Sequence, residues 1–229
     1  MNKQRIVSRG DRPFEDRKEA GAELALELTG LRSEHPVILG IPRGGVEVAA
    51  EIARVLEGDL DVVMARKVAS PHQPEYALGA VTESGRLFLN PLESPGREEL
   101  HKIREWSSRE HGVLMRRLDA YRAALPKLPL KDRVVVVTDD GAATGLTFEA
   151  ALSAAREERP RRLIAALPVA PEATVKRIAG SADLVVCLRC PGVLFSVGQF
   201  YVNFEPFEDD AVLGLLKEEA KRRHHHAGV

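Results

Sequence analysis

Two adjacent carboxylates, Asp139 and Asp140, follow Val134-Val135-Val136-Val137-Thr138 and lead into Gly141-Ala142-Ala143-Thr144-Gly145-Leu146-Thr147. An unbroken β-branched run of this kind reads as a buried parallel strand. The small-residue turn and the helical spacing after Leu146 then place the acid pair at the strand's carboxyl end, beside a helix N-terminus, where open α/β sheets bind ligands. Unpaired amides and the helix dipole favour a phosphate there. Gly141, Ala142, Ala143 and Gly145 let a ligand approach the backbone closely, while Thr144 and Thr147 supply hydroxyl donors. Two carboxylates beside such a cradle suit neighbouring hydroxyls or a hydrated magnesium ion. A Walker loop is excluded because its Lys is missing, and Gly40-Ile41-Pro42-Arg43-Gly44-Gly45 does not match the dinucleotide fingerprint.

The elements that must position this chemistry alternate along the chain. Short β-branched runs at 36–41, 60–65, 133–138, 162–167 and 184–188 are separated by helical patterns at 45–57 and 146–158 and a helix beginning near Pro171. That order signals a parallel sheet flanked by helices. A first helix is expected at about 14–29, closed by Gly30, and segments 76–81 and 87–89 flank Thr82-Glu83-Ser84-Gly85 like a hairpin. Residues 95–124 are charged, free of internal Pro, and read as a long helix or helical pair inserted into the fold. The expectation is one α/β domain over 1–229, with a core at about 36–190, a helical insertion at 95–125, and a hood and terminal helix at 190–224. His224-His225-His226 reads as a frayed tail.

With 229 residues, 33 basic against 34 acidic side chains and 44% apolar content, the chain has globular composition and no basic excess. That argues against a nucleic-acid partner. No apolar run approaches the roughly 20 residues of a membrane helix, and two cysteines make no disulfide framework. A cytoplasmic protein without membrane or nucleic-acid partners is expected.

The run from Val134 to Thr147 resembles the phosphoribosyl-diphosphate (PRPP) signature of type I phosphoribosyltransferases: four apolar residues, two acids a residue later, and a Thr-Gly-x-Thr loop. The resemblance implies that fold, a twisted, mainly parallel sheet flanked by helices with a C-terminal hood. It further implies that Asp139 and Asp140 hold the ribose hydroxyls and that Ala142, Ala143, Thr144, Gly145 and Thr147 wrap the 5′-phosphate. Pro42-Arg43-Gly44-Gly45 resembles the diphosphate-gripping turn of that family; paired glycines free two amides, and Arg43 can fork onto phosphate oxygens. Arg66-Lys67-Val68-Ala69-Ser70-Pro71-His72 is similar to the start of the mobile catalytic loop in orotate enzymes, with Ser70 in place of a second Lys. Arg66 and Lys67 would balance the departing diphosphate.

The implied activity is displacement of diphosphate from PRPP by a nitrogen nucleophile. Magnesium is the implied cofactor, held by Asp139 and Asp140 mainly through ligand and water. A base or another small-molecule acceptor is the implied second partner. Two departures bear on it. Hypoxanthine-guanine and xanthine enzymes carry a third acid where this chain has Ala143, and a Lys after the next strand, where it has Leu167-Pro168-Val169-Ala170-Pro171; 6-oxopurines are therefore disfavoured. Within the expected hood, Phe195, Phe200 and Tyr201 offer aromatic faces and Gln199 an edge-reading amide. A rival from another class is a regulatory protein that binds PRPP without catalysis, and a third is a hydrolase of phosphoribosyl compounds. The 95–125 helix leaves room for a homodimer.

Overall fold

The computed structural model describes residues 3–227, and the side chains of all of these except 74, 75, 226 and 227. In chain order the elements are β1 (Gln4–Ser8), α1 (Arg17–Glu27), β2 (Val37–Gly40), α2 (Gly44–Leu56), β3 (Asp59–Val62), β4 (Ala65–Ser70), β5 (Gln73–Thr82), β6 (Leu87–Leu89), α3 (Arg97–Ala124), β7 (Val134–Thr138), α4 (Leu146–Glu157), β8 (Arg162–Val169), α5 (Glu172–Ile178), β9 (Leu184–Arg189) and α6 (Asp209–Ala227). Six strands form one sheet in the order β1-β9-β8-β7-β2-β3, with parallel pairing throughout. The mainly parallel sheet expected from the alternation is the one observed.

Its apolar runs are continuous because both faces are covered. Ile38, Val136, Ile164 and Val186 pack with Leu24, Ile52, Leu56, Tyr121 and Leu216 on one face. Val37, Leu39, Val135, Val137 and Leu163 pack with Phe148, Leu152 and Ile178 on the other. From β2 the chain winds outward through α2 to β3; from β7 it winds the other way through α4 to β8. The β2–β7 junction is therefore the topological switch point, and the crevice beyond it is where such sheets bind ligands. Register brings Gly40 beside Thr138 there, and the Ile41 amide donates to the Thr138 carbonyl at 3.0 Å.

Four expectations are corrected. β1, which the charged N-terminus hid, adds a parallel edge strand on β9. Helix α1 begins at Arg17, later than expected, because the Asp16 side chain accepts the Glu19 amide at 2.9 Å and caps it there. Segment 65–70 is a strand rather than the open start of a loop; Val68 points inward onto Val81 and Ile103 while Arg66 is half-buried and Lys67 exposed. The histidine tail continues α6, with His225 Nδ1 against the Lys221 carbonyl at 2.7 Å; the side chain of His226 lies outside the described residues. The expected hairpin at 76–89 forms as β5 and β6, which complete a small antiparallel sheet with β4.

The long helix is more than an appendage. Ile103 of α3 packs under β4 and β5, and Leu114, Leu118 and Tyr121 join the main core. Buried positions three, four and seven residues apart put both contacts on one helical face. Helix α3 thereby ties the small sheet to the large one and brings its middle turns beside the switch point.

Candidate active site

The acid turn is built by close backbone approach. Asp140 donates its amide to Asp139 Oδ1 at 2.9 Å, and Tyr201 Oη donates to the Asp140 carbonyl at 2.6 Å. Across the switch point, the turn after β2 carries a cis peptide between Pro42 and Arg43 and enters α2 at Gly44. A Cβ on Gly45 would lie 2.8 Å from the Asp139 Cα, so only glycine lets the two turns sit this close. The amides of Gly44 and Gly45 open α2 and have no intrahelical acceptor.

The cradle beyond the acids is held open by one left-handed residue. Gly145 has φ 71° and caps α4, whose first i→i−4 bond runs from the Glu149 amide to the Gly145 carbonyl at 2.8 Å. The amides of Leu146, Thr147 and Phe148 precede that bond and open toward the turn. Thr174 Oγ1 donates to the Ala143 carbonyl at 2.7 Å and fixes the loop from outside. Ala143 and Thr144 are exposed, while the Ala142 side chain is buried in the core.

A cleft of about 270 Å³ opens here, lined among others by Pro42, Arg66, Lys67, Asp139 and Thr147. Residues drawn from four separate stretches of sequence thus face one space. Leu114 and Arg117 of α3 line it as well, and no sequence signal marked them. Around the cleft the cations are held by carboxylates: Arg66 by Glu110, Arg43 by Glu208, and Arg117 by Asp209 at 2.9 Å.

Asp140 differs from its neighbour. Its carboxylate accepts Arg17 Nε at 2.9 Å; Arg17 also donates to the Glu205 carbonyl at 2.9 Å and lies 4.0 Å over the Phe204 ring. Sequence reasoning missed Arg17 because a single Arg at the start of a helix looks like a solvated residue. Burial pushes both carboxyls above the usual range. For Asp139 the nearby Asp140 charge adds to burial, whereas for Asp140 the Arg17 guanidinium opposes it. The pair is therefore not the exposed strand end that its position in sequence suggests.

A stability prediction follows from the raised Asp139. Its proton is held more tightly in the folded chain, so its contribution is fully present below about pH 3.8 and is lost as pH rises through the raised native value. Asp139→Asn keeps the acceptor for the Asp140 amide and removes the half-buried charge. Thermal melts should show the variant more stable than wild type by a few degrees at pH 7, with the gap closing toward pH 3.8. An equal gap at both pH values would contradict the assignment.

The expected acceptor residues divide. Phe195 is 88% exposed and Gln199 is exposed, but Phe200 is 2% exposed within the core and offers no free face for a base. Tyr201 is also buried; its ring packs between Phe14 and Phe204, at centroid distances of 5.5 and 5.0 Å, and its hydroxyl positions the acid turn. The reason is that the hood docks on the N-terminal segment: the Phe14 amide donates to the Phe200 carbonyl and the Val202 amide to the Phe14 carbonyl, each at 2.8 Å.

Residues 14–205 match the phosphoribosyl transferase domain. The chain belongs to this family. Among relatives of the phosphoribosyl transferase chain, an inferred phosphoribosyl transferase of Mycobacterium tuberculosis is 41% identical over 217 residues, covering 94% of this chain and 49% of that protein. The chain thus spans about half the length of the curated relatives it matches. Among solved structures, TT1426 from Thermus thermophilus is 46% identical, with a TM-score of 0.76 over 90% of this chain and 98% of that one. The type I phosphoribosyltransferase fold expected from the motif is therefore the fold of this chain. Among the described residues, no helix is long and apolar enough to cross a membrane.

Proposed function

We propose that this phosphoribosyl transferase domain moves the 5-phosphoribosyl group from PRPP to a nitrogen nucleophile with release of diphosphate. The observation that carries the reading is the shared cleft, where Asp139 and Thr147 of the PRPP motif face Arg66, Lys67 and the turn at Pro42. Asp139 and Asp140 accept hydrogen bonds from the ribose hydroxyls, and their charge favours the positive character that develops on the ribose. The amides at the start of α4, with Thr144 and Thr147, hold the 5′-phosphate. Arg43, the amides of Gly44 and Gly45, Arg66 and Lys67 stabilise the diphosphate as the bond from C1′ to oxygen breaks.

Magnesium fits this donor set. Two adjacent carboxylates, with one guanidinium, Arg17, bonded to Asp140, leave room for further positive charge beside Asp139, which lines the cleft. When bound, the ion would supply charge to the diphosphate, carried by ligand oxygens and by water that Asp139 and Asp140 orient.

Diphosphate release from PRPP, measured with a panel of nitrogenous bases, tests the proposal. Release that depends on one base, together with a nucleotide product, supports transfer. Binding of PRPP without release with any base would establish the regulatory alternative, and release without a nucleotide product would establish a hydrolase.

For the acceptor, Phe195 and Gln199 are the hood residues with free faces, and Val197 brings the hood to the acid turn by packing against Gly141. Hypoxanthine, guanine and xanthine should be poor substrates. Ala143 carries no proton acceptor for N7, and Val169 and Ala170 at the end of β8 are buried apolar residues where a 6-oxo group would need a cation. Losing that charge-assisted partner costs about 1.5–3 kcal/mol, or roughly tenfold to 150-fold in kcat/KM against a preferred base. Efficient formation of inosine or guanosine monophosphate would refute this.

A further inference from the structure

Arg117 lies on α3, outside the PRPP motif, the diphosphate turn and the β4–β5 hairpin, yet it lines the same cleft as Asp139, Arg66 and Lys67. Its Nε sits 2.9 Å from Asp209 Oδ1, while its two terminal nitrogens donate to no protein acceptor among the described residues. Asp209 is itself fixed by the Tyr121 hydroxyl, whose pKa burial and Asp209 together raise, so that it remains a donor. The guanidinium is thus held through Nε, and its terminal nitrogens remain available to a ligand in the cleft that Arg117 lines. That is the geometry with which an arginine takes two phosphate oxygens at once.

A deficit of charge gives this fork a purpose. Ser70 stands where the similar catalytic loop has a second Lys, and Arg66 already shares its charge with Glu110. We propose that Arg117 is a diphosphate-binding residue which adds a cation to the cleft from α3, the helix that also carries Glu110 against Arg66. The proposal rests on the PRPP reading above and adds to it a residue from the helix between β6 and β7. The acids Glu208 and Asp209, consecutive at the start of α6, then serve one end: each orients an arginine, Arg43 and Arg117, toward the leaving group.

Calorimetry with three ligands separates this residue's role from that reading: PRPP with magnesium, inorganic diphosphate with magnesium, and ribose 5-phosphate. Arg117→Ala should weaken the first two by about tenfold, ~1.4 kcal/mol, and leave ribose 5-phosphate unchanged. Asp209→Asn keeps Oδ1 as the acceptor for both Tyr121 and Arg117 Nε, so Arg117 stays oriented while the competing charge is removed, and should tighten diphosphate binding. If Arg117→Ala does not fold, absence of any gain in Asp209→Asn overturns the proposal. A folded Arg117→Ala chain that binds diphosphate as wild type does overturns it too, with the PRPP reading intact. Wild type that binds diphosphate but not PRPP removes the transferase reading and leaves the diphosphate arm to decide on Arg117; wild type that binds neither overturns both.

Discussion

Replacing both Asp139 and Asp140 with asparagine is expected to weaken binding of PRPP with magnesium at least tenfold, about 1.4 kcal/mol, and to lower turnover by a further factor on the order of 10²–10³. Binding is lost because neutral amides accept weaker hydrogen bonds from the ribose hydroxyls than carboxylates do. Turnover is lost because positive charge on the ribose grows toward the transition state, and interactions that strengthen there govern the rate. The two single variants should separate. Asp139→Asn removes a half-buried carboxylate that no cation hydrogen-bonds among the described residues, and should fold at least as well as wild type. Asp140→Asn abandons the Arg17 guanidinium, 7% exposed, to a neutral partner and should cost stability. Calorimetry on the folded Asp139→Asn chain is therefore the decisive measurement. Unchanged PRPP affinity there would remove the assignment of the acid pair.

Removing Arg66 and Lys67 together should act on the rate above all. Their charges face the cleft, and the demand on them is greatest when diphosphate departs. A double alanine variant is expected to lower kcat by about 10²–10³ while the KM for the acceptor changes little. Val68 anchors β4 against Val81 and Ile103, so the hairpin should persist without the two cations. Proteolysis at the 71–72 turn should slow when PRPP is added to wild type, if the hairpin closes over the ligand. A kcat unchanged in the variant would show that the diphosphate leaves under other charges.

Much of the site was legible because its parts are local. Val134 to Thr147 encodes strand, acid pair, turn and helix within fourteen residues, and each step follows from residue type: branched residues for the strand, carboxylates at its end, glycine where φ must be positive. The parallel sheet was legible from the alternation of short apolar runs with helical spacing. The edge strand β1 was not, because one exposed face and a charged sequence resemble a loop, and only pairing with β9 gives Gln4–Ser8 a reason to be extended.

What the tertiary structure alone decided lies between distant segments. Position in the sequence made Arg17 a surface residue; packing placed it on Asp140, 123 positions away, over the ring of Phe204. Tyr201 and Phe200 carried the composition of a base-binding hood, yet docking on Phe14 buried both. Helix α3 carried no motif at all, and its single apolar face, shared between two sheets, turned Arg117 into the cleft. Residue types and short spacings determine which chemistry a segment can perform, since those depend on a few consecutive backbone angles. Which charges meet, and which rings stay free, depends on contacts closed over a hundred residues or more, and only the packed core of both sheet faces fixes them.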